Sequence, residues 1–259
     1  MTTKKSKSLE SIIDRVRRKY IDRITGKTTA DVEPNLAKLC NGVREKKITY
    51  LSLQRLHSLS SLLMELNKNS VPGDLIEAGC ALGGSAIVLA ASKGQARKLS
   101  IYDTFAMIPP PGPNDGPDVH ARYNAISNGE AKGIKGDPYY GYLKDIPDRV
   151  KKSFADHGYP VDENKVTLVK GLLEDTLEVN SAISLAHIDV DWYEPVYTCL
   201  DRIIPHLSVG GVVILDDYLD WSGCHEAAND YFDAEKRKQF LFSTRYGHLT
   251  VRRVRPHTS

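Results

Sequence analysis

The apolar positions of this chain change period along its length, and each change marks an element. Leu9, Ile12, Ile13, Val16, Tyr20, Ile21 and Ile24 recur at helical spacing and predict an amphipathic helix over 9–24. A second helix is expected over 49–67, with Thr49 as the N-cap candidate and Leu51, Leu56, Leu59, Leu62, Leu63 and Leu66 on its apolar side. After Val71-Pro72-Gly73, short apolar runs alternate with helical ones. Strands are expected at 74–77, 98–102, 166–170, 184–188 and 211–215, and helices at 85–92, 146–157, 194–207 and 223–238. Two final extended runs, 239–244 and 248–254, joined by Arg245-Tyr246-Gly247, read as a hairpin.

Strands alternating with helices predict an α/β fold with a mostly parallel sheet. Residues 106–145 break the rhythm with Ile108-Pro-Pro-Pro-Gly-Pro113, further glycines and Tyr139-Tyr140-Gly141-Tyr142. An insertion of this length inside a compact domain is expected to be a functional lid. His120, Tyr123, Tyr139, Tyr140 and Tyr142 are its substrate-contact candidates, with ordinary packing as the alternative.

Two of the strands close on acidic clusters, His187-Ile-Asp189-Val-Asp191 and Leu215-Asp216-Asp217. Joined by a right-handed crossover, they would lie about 4.8 Å apart as direct neighbours, with their carboxylates in one cleft at the carboxyl ends. One Asp at a strand end is ordinarily a cap or a solvated loop residue. Four that converge repel one another unless a cation neutralises them. His187 has two readings, a base or a structural hydrogen-bonding residue. Trp192 and Tyr193 could wall the pocket or anchor the following helix.

Glu77-Ala-Gly79-Cys-Ala-Leu-Gly83-Gly84-Ser85 follows the first strand and opens a helix. Glycine allows close backbone approach, and the helix N-terminus offers free N–H donors. The spacing is E-x-G-x-x-x-G-G, not the G-x-G-x-x-G of dinucleotide sites. An acid at Glu77 repels a pyrophosphate and suits a cationic amino group. Asp103, 24 residues after Gly79, ends the second strand, where a carboxylate can bind ribose hydroxyls. A ribose, an amino group and no phosphate describe S-adenosylmethionine.

Composition narrows the classes. The 259 residues carry a net charge of +2, which makes no case for nucleic acid as partner. No apolar run approaches the roughly 18 residues of a membrane span, and no secretory signal is visible, so a cytoplasmic protein is expected. Cys40, Cys80, Cys199 and Cys224 lack metal-ligand spacing and are expected as reduced thiols.

The sequence resembles a known family. Gly73-Asp-Leu-Ile-Glu-Ala-Gly79, Gly83-Gly-Ser85, Tyr102-Asp-Thr-Phe105, Lys170-Gly171, Glu174-Asp-Thr-Leu177, His187-Ile-Asp-Val-Asp-Trp-Tyr-Glu-Pro195 and Gly210-Gly-Val-Val-Ile-Leu-Asp-Asp-Tyr218 look like the TylF/macrocin O-methyltransferases, over roughly residues 70–235. The resemblance implies a class I S-adenosylmethionine methyltransferase fold: a Rossmann-like, mostly parallel seven-stranded sheet with an antiparallel last strand and helices on both faces. It implies Mg2+-dependent O-methylation of a sugar hydroxyl, on a deoxysugar of a natural-product glycoside. By position, Asp189, Asp216 and Asp217 resemble the metal ligands, and Asp191, with His187 as second candidate, the catalytic base. Glu77, Gly79, Gly83, Ser85, Asp103, Thr104, Gly171, Leu172 and Asp189 match the cofactor pocket. Ala81-Leu82 departs from the aromatic and arginine frequent there, and the hairpin lacks a common tryptophan.

Residues 1–70 are thus expected as a helical segment packing on a methyltransferase domain of residues 71–259, in a homo-oligomer acting on a small-molecule glycoside. The rival reading is a glycosyltransferase that uses Asp189-Val-Asp191 as a D-x-D site for a nucleotide-sugar. A non-catalytic binding protein would leave the complete acidic clusters unexplained.

Overall fold

The structure, a computed structural model, describes residues 33–255, so the helix expected over 9–24 lies outside the described residues. Among the described residues, two helices precede the sheet. Helix α1 (Pro34–Glu45) starts on a proline, whose fixed φ suits a first turn. Helix α2 (Leu53–Lys68) is capped by Ser52, whose side chain accepts the Arg55 N–H at 3.2 Å. Thr49, the expected cap, instead accepts the Leu51 N–H at 3.1 Å.

The chain then alternates through β1 (Asp74–Ala78), α3 (Gly84–Ser92) and β2 (Leu99–Asp103). After the insertion come α5 (Ile146–Asp156), β3 (Val166–Lys170), the short α6 (Leu173–Thr176), β4 (Ile183–Ile188), α7 (Tyr193–Ile203) and β5 (Leu207–Leu215). Helices α8 (Ser222–Tyr231) and α9 (Ala234–Arg237) lead into β6 (Phe240–Arg245) and β7 (His248–Arg253). The expected helix over 223–238 is broken in two because Asp233 accepts the Glu235 and Lys236 N–H groups and starts a new first turn.

The seven strands run β3-β2-β1-β4-β5-β7-β6. The first five are parallel, and β7 is antiparallel to both β5 and β6. Alternate side chains divide the core. Leu75, Ile101, Leu185, Val212 and Ile214 pack on one face with Leu56, Leu63, Ile87, Val150 and Phe154. Ile76, Ala78, Ala186, Ile188, Val213 and Leu215 pack on the other with Val196, Leu200, Ala227 and Phe232. Strand β5 begins at Leu207, ahead of the expected Gly211, because its register against β4 slips between Ile183 and Leu185 and carries the strand through Gly210 and Gly211.

The insertion, where the strand–helix rhythm breaks off in the sequence, is ordered. It contains α4 (Pro117–Ser127) and two short 3-10 turns. Ile108, Val119, Ile126, Ala131 and Tyr139 form a small core of their own around Trp192. Trp192 Nε1 donates to the Pro109 carbonyl at 3.0 Å, and Asp115 accepts from the Tyr193 and Gly112 N–H groups at 2.8 and 2.9 Å. Trp192 is therefore an anchor. All four cysteines are unpaired and buried, and no helix among the described residues is long and apolar enough to cross a membrane.

Candidate active site

The carboxyl ends of β1, β2, β4 and β5 lie side by side, so the residues that follow them share one cleft. The ladder continues one residue further, with Gly79, Asp189 and Asp216 donating N–H bonds to Tyr102, Ala78 and Ile188 at 2.8, 2.8 and 2.9 Å. Gly79 has φ +79°, and a Cβ there would come within 2.0 Å of the Asp189 carbonyl oxygen. Only glycine permits the two loops to approach this closely.

Asp103 organises the glycine loop. One carboxylate oxygen accepts the Cys80 and Ala81 N–H groups at 2.8 and 3.3 Å, and the other accepts from Phe105 at 2.7 Å. Gly83, at φ +90°, is the N-cap of α3, and Ser85 is buried in its first turn. Gly171 donates to the Asp103 carbonyl at 3.1 Å. Leu172 beside it is 41 % exposed, and Thr104 is half-buried after Asp103. The cofactor residues expected from the sequence thus fall around the ends of β1, β2 and β3. Glu77 differs in its surroundings. It is fully buried, its Oε1 lies 3.0 Å from His187 Nδ1, and its Oε2 has no hydrogen-bond partner among the described residues.

Asp189, Asp191 and Asp217 bring one carboxylate oxygen each to within 4.8 Å of one another. Burial, then Asp216 and Asp191, push the Asp189 carboxyl up to about 8, against the opposing pull of His187. Burial and the other three aspartates hold Asp217 well above the usual carboxylate range. Burial also raises Asp191, although Asp217 and Arg122 oppose it. Asp217 Oδ2 is buried without a hydrogen-bond partner among the described residues. An all-oxygen donor set, crowded with negative charge and with one oxygen unsatisfied, fits a hard divalent cation such as Mg2+.

Asp216, expected among the metal ligands, stands outside this trio, and Asp191, expected as a base, stands inside it. Asp216 Oδ2 takes an Arg55 guanidinium hydrogen bond at 2.6 Å, and its Oδ1 lies 3.8 Å from His187 Nε2 and 3.9 Å from His248 Nδ1. Arg55 also donates to Asp220 at 2.6 Å and to the Tyr246 carbonyl at 2.9 Å. Asp191 is turned toward Asp217 by a left-handed backbone, φ +58°. His187 lies between Glu77 and Asp216 in this arrangement. Burial alone would lower its pKa, but the Asp216 and Glu77 carboxylates on either side push it up to about 10.

Sequence reasoning missed Arg55, His248 and Arg122. Arg55 reads only as the polar face of a helix, and its partner Asp216 is 161 residues away. Arg122 lies over the Tyr139 ring, 5.7 Å from its centroid.

This sheet order, with an antiparallel β7 between β5 and β6 and a glycine loop after β1, defines a class I methyltransferase fold. Over residues 10–244 the chain matches macrocin-O-methyltransferase (TylF), and it belongs to that family of S-adenosylmethionine-dependent O-methyltransferases. It is 31% identical over 189 residues, 71% of the chain and 67% of the relative, to 8-demethyl-8-(2,3-dimethoxy-alpha-L-rhamnosyl)-tetracenomycin-C 4'-O-methyltransferase of Streptomyces olivaceus. It is 28% identical over 195 residues, 71% of the chain and 67% of the relative, to demethyldecarbamoylnovobiocin O-methyltransferase of Streptomyces niveus. The O-methyltransferase NovP shares the fold with a TM-score of 0.67 at 23% identity, covering 85% of this chain and 97% of that one. The glycosyltransferase reading is not favoured: Asp189-Val-Asp191 shares its cleft with the glycine loop and with Asp217 in a methyltransferase sheet.

Proposed function

We infer that the protein transfers the S-adenosylmethionine methyl group to a hydroxyl of a sugar, of the deoxysugar kind found on natural-product glycosides, with Mg2+ as cofactor. The observation that carries this reading is the convergence of the 79–83 loop and the Asp189, Asp191 and Asp217 carboxylates on one cleft. Its support beyond the geometry is that the relatives' names describe natural-product O-methyltransferases, one of them naming a rhamnosyl group. A near-neutral chain with reduced, buried thiols suits a small-molecule enzyme of the cytoplasm.

The Gly79–Gly83 backbone and the first turn of α3 hold the amino-acid end of the cofactor, while Asp103, Thr104, Gly171 and Leu172 border its nucleoside. Asp189 and Asp217 would hold the cation; two carboxylates would suffice because Mg2+ keeps several waters. When bound, the cation supplies Lewis acidity that lowers the pKa of an acceptor hydroxyl. Asp191 Oδ accepts the hydroxyl proton. One of its carboxylate oxygens lies within 4.8 Å of those of Asp189 and Asp217, in reach of a hydroxyl held at the cation. Asp216 stays on Arg55, and with His187 it braces the trio from behind. The Trp192-anchored lid excludes water and orients the acceptor.

Thermal unfolding of the full chain with S-adenosylhomocysteine, with and without Mg2+, tests the reading. At 100 times its Kd a ligand adds about 2.7 kcal/mol, a rise in Tm of roughly 5–10 °C for a domain of this size. Labelled methyl transfer to a deoxysugar acceptor, abolished by EDTA and restored by Mg2+, completes the test. No thermal shift with S-adenosylhomocysteine overturns the cofactor assignment, and full transfer in EDTA overturns the metal.

A further inference from the structure

A cavity of about 500 Å³ opens beside the lid, between the end of α1, residues 49–51, Arg122 on α4 and the 132–135 turn. Its lining includes Arg44, Arg122, Lys132 and Lys135 against a single carboxylate, Glu45. That local surplus of three positive charges exceeds the net +2 of the whole chain. None of the four cations pairs with an acid among the described residues. In the neighbouring cavity of about 380 Å³, by comparison, two of the four lining cations are paired, Lys47 to Asp137 at 2.9 Å and Lys152 to Asp156 at 2.6 Å. The Lys47–Asp137 pair also ties the turn carrying Lys132 and Lys135 to the segment after α1.

Arg122 and a row of tyrosines link the cavity to the carboxylate trio. Its wall residue Tyr50 packs on Tyr140, ring centroids 6.0 Å apart, and Tyr140 packs on Tyr139 at 4.7 Å. Arg122 borders the cavity, lies over Tyr139 and bears electrostatically on Asp191. An acceptor with one hydroxyl at the trio would therefore extend toward unpaired positive charge.

We propose that this cavity binds a pyrophosphate, so that the sugar is methylated while still carried on a nucleoside diphosphate. The proposal deepens the methyltransferase reading and rests on it. A sugar pyrophosphate diester carries two negative charges, which the unpaired cations match. The volume is that of a small-molecule pocket rather than a single-phosphate site. Tyr50, 46 % exposed, offers a flat face against which a base can stack. In the transfer, the bond from methyl carbon to sugar oxygen forms as the bond to sulfur breaks. The hydroxyl proton leaves to Asp191, and the sugar–phosphate bond stays intact. The reaction that must consume this product is glycosyl transfer from the methylated donor.

The test uses the full chain in EDTA, so that binding cannot run through a metal at the carboxylates. Calorimetric affinities are measured for S-adenosylhomocysteine, inorganic pyrophosphate, thymidine diphosphate, and a methyl 6-deoxyhexoside. Thymidine diphosphate is expected to bind at least tenfold more tightly than the neutral glycoside and tighter than pyrophosphate alone, weakening as salt rises. The surface variant Lys132→Gln/Lys135→Gln should lose at least tenfold in thymidine diphosphate affinity and leave S-adenosylhomocysteine binding unchanged. With Mg2+ restored, the thymidine-diphosphate-linked 6-deoxyhexose should be methylated with a higher kcat/KM than the methyl glycoside, and its product should keep the nucleotide. Equal binding of diphosphate and neutral glycoside, an unaffected double variant, or preferred methylation of the neutral glycoside overturns the subsite. S-adenosylhomocysteine binding separates the two readings, since its absence overturns the methyltransferase reading and its presence leaves that reading standing whatever the diphosphate does.

Discussion

Arg55 Nη1 and Asp216 Oδ2 lie 2.6 Å apart, a bond that joins the helix preceding the sheet to the carboxylate at the end of its fifth strand. Asp216 is nearly buried, and Arg55 is its shortest charged contact, with His187 Nε2 next at 3.8 Å. Removing the guanidinium leaves a buried carboxylate short of one of its facing cations. Arg55→Ala should cost about 3 kcal/mol, within the range for breaking such a pair from one side. Asp216→Asn should cost less in that background than alone. Urea unfolding of the two single variants and the double variant measures the coupling, and additive costs would show that the bond contributes nothing of its own.

His187 makes stability depend on pH. The unfolded ring titrates near 6.5 and the folded one at about 10, because Glu77 and Asp216 flank it. The native state therefore holds a proton that the unfolded state releases. The stabilisation is complete below pH 6.5 and is lost as pH rises through 10, at up to about 1.4 kcal/mol per pH unit for a single group. Comparing metal-free protein with His187→Gln across pH 6 to 10 isolates this group. The difference in unfolding free energy should narrow as pH rises, and a difference independent of pH would show the ring to be neutral.

Much of this arrangement was legible in the sequence. The alternation of Leu75 with Ile76 and of Val212 with Val213 across the two faces follows directly from the period of a strand. The strand-end positions of Gly79, Asp103, Asp189 and Asp216 follow from the same runs. What separates Asp191 from Asp216 was not legible. It depends on a left-handed residue at 191 and on an arginine 161 positions before Asp216. Helix α4 was hidden for a local reason, since it begins on Pro117 amid glycines and prolines and buries only Val119 and Ile126.

The carboxylate trio should make the metal-free protein less stable than a variant with one charge removed. Asp217→Asn replaces an unsatisfied, repelled oxygen by an amide that can donate to its neighbours. An increase in stability in EDTA is expected, because the amide removes one of the crowded buried carboxyls. The same variant should lose the rise in Tm that Mg2+ gives the parent. Asp216→Asn, whose carboxylate is paired with Arg55, should destabilise instead. Thermal melts of both variants in EDTA and in Mg2+ decide this, and a fall in stability for Asp217→Asn would mean that the repulsion is already relieved.

Asp191 is the place where base and ligand can be told apart. Its φ of +58° is a conformation that asparagine tolerates nearly as well as aspartate, so Asp191→Asn changes the chemistry with little backbone strain. The amide oxygen can still face a cation but cannot take a proton. If Asp191 is the base, kcat should fall by about 100-fold or more, while KM, S-adenosylhomocysteine affinity and the Mg2+-induced rise in Tm stay near parental values. Loss of the Mg2+ effect together with kcat would make Asp191 a metal ligand and move the proton acceptor elsewhere in the cleft. An unchanged kcat would remove it from the proton transfer altogether.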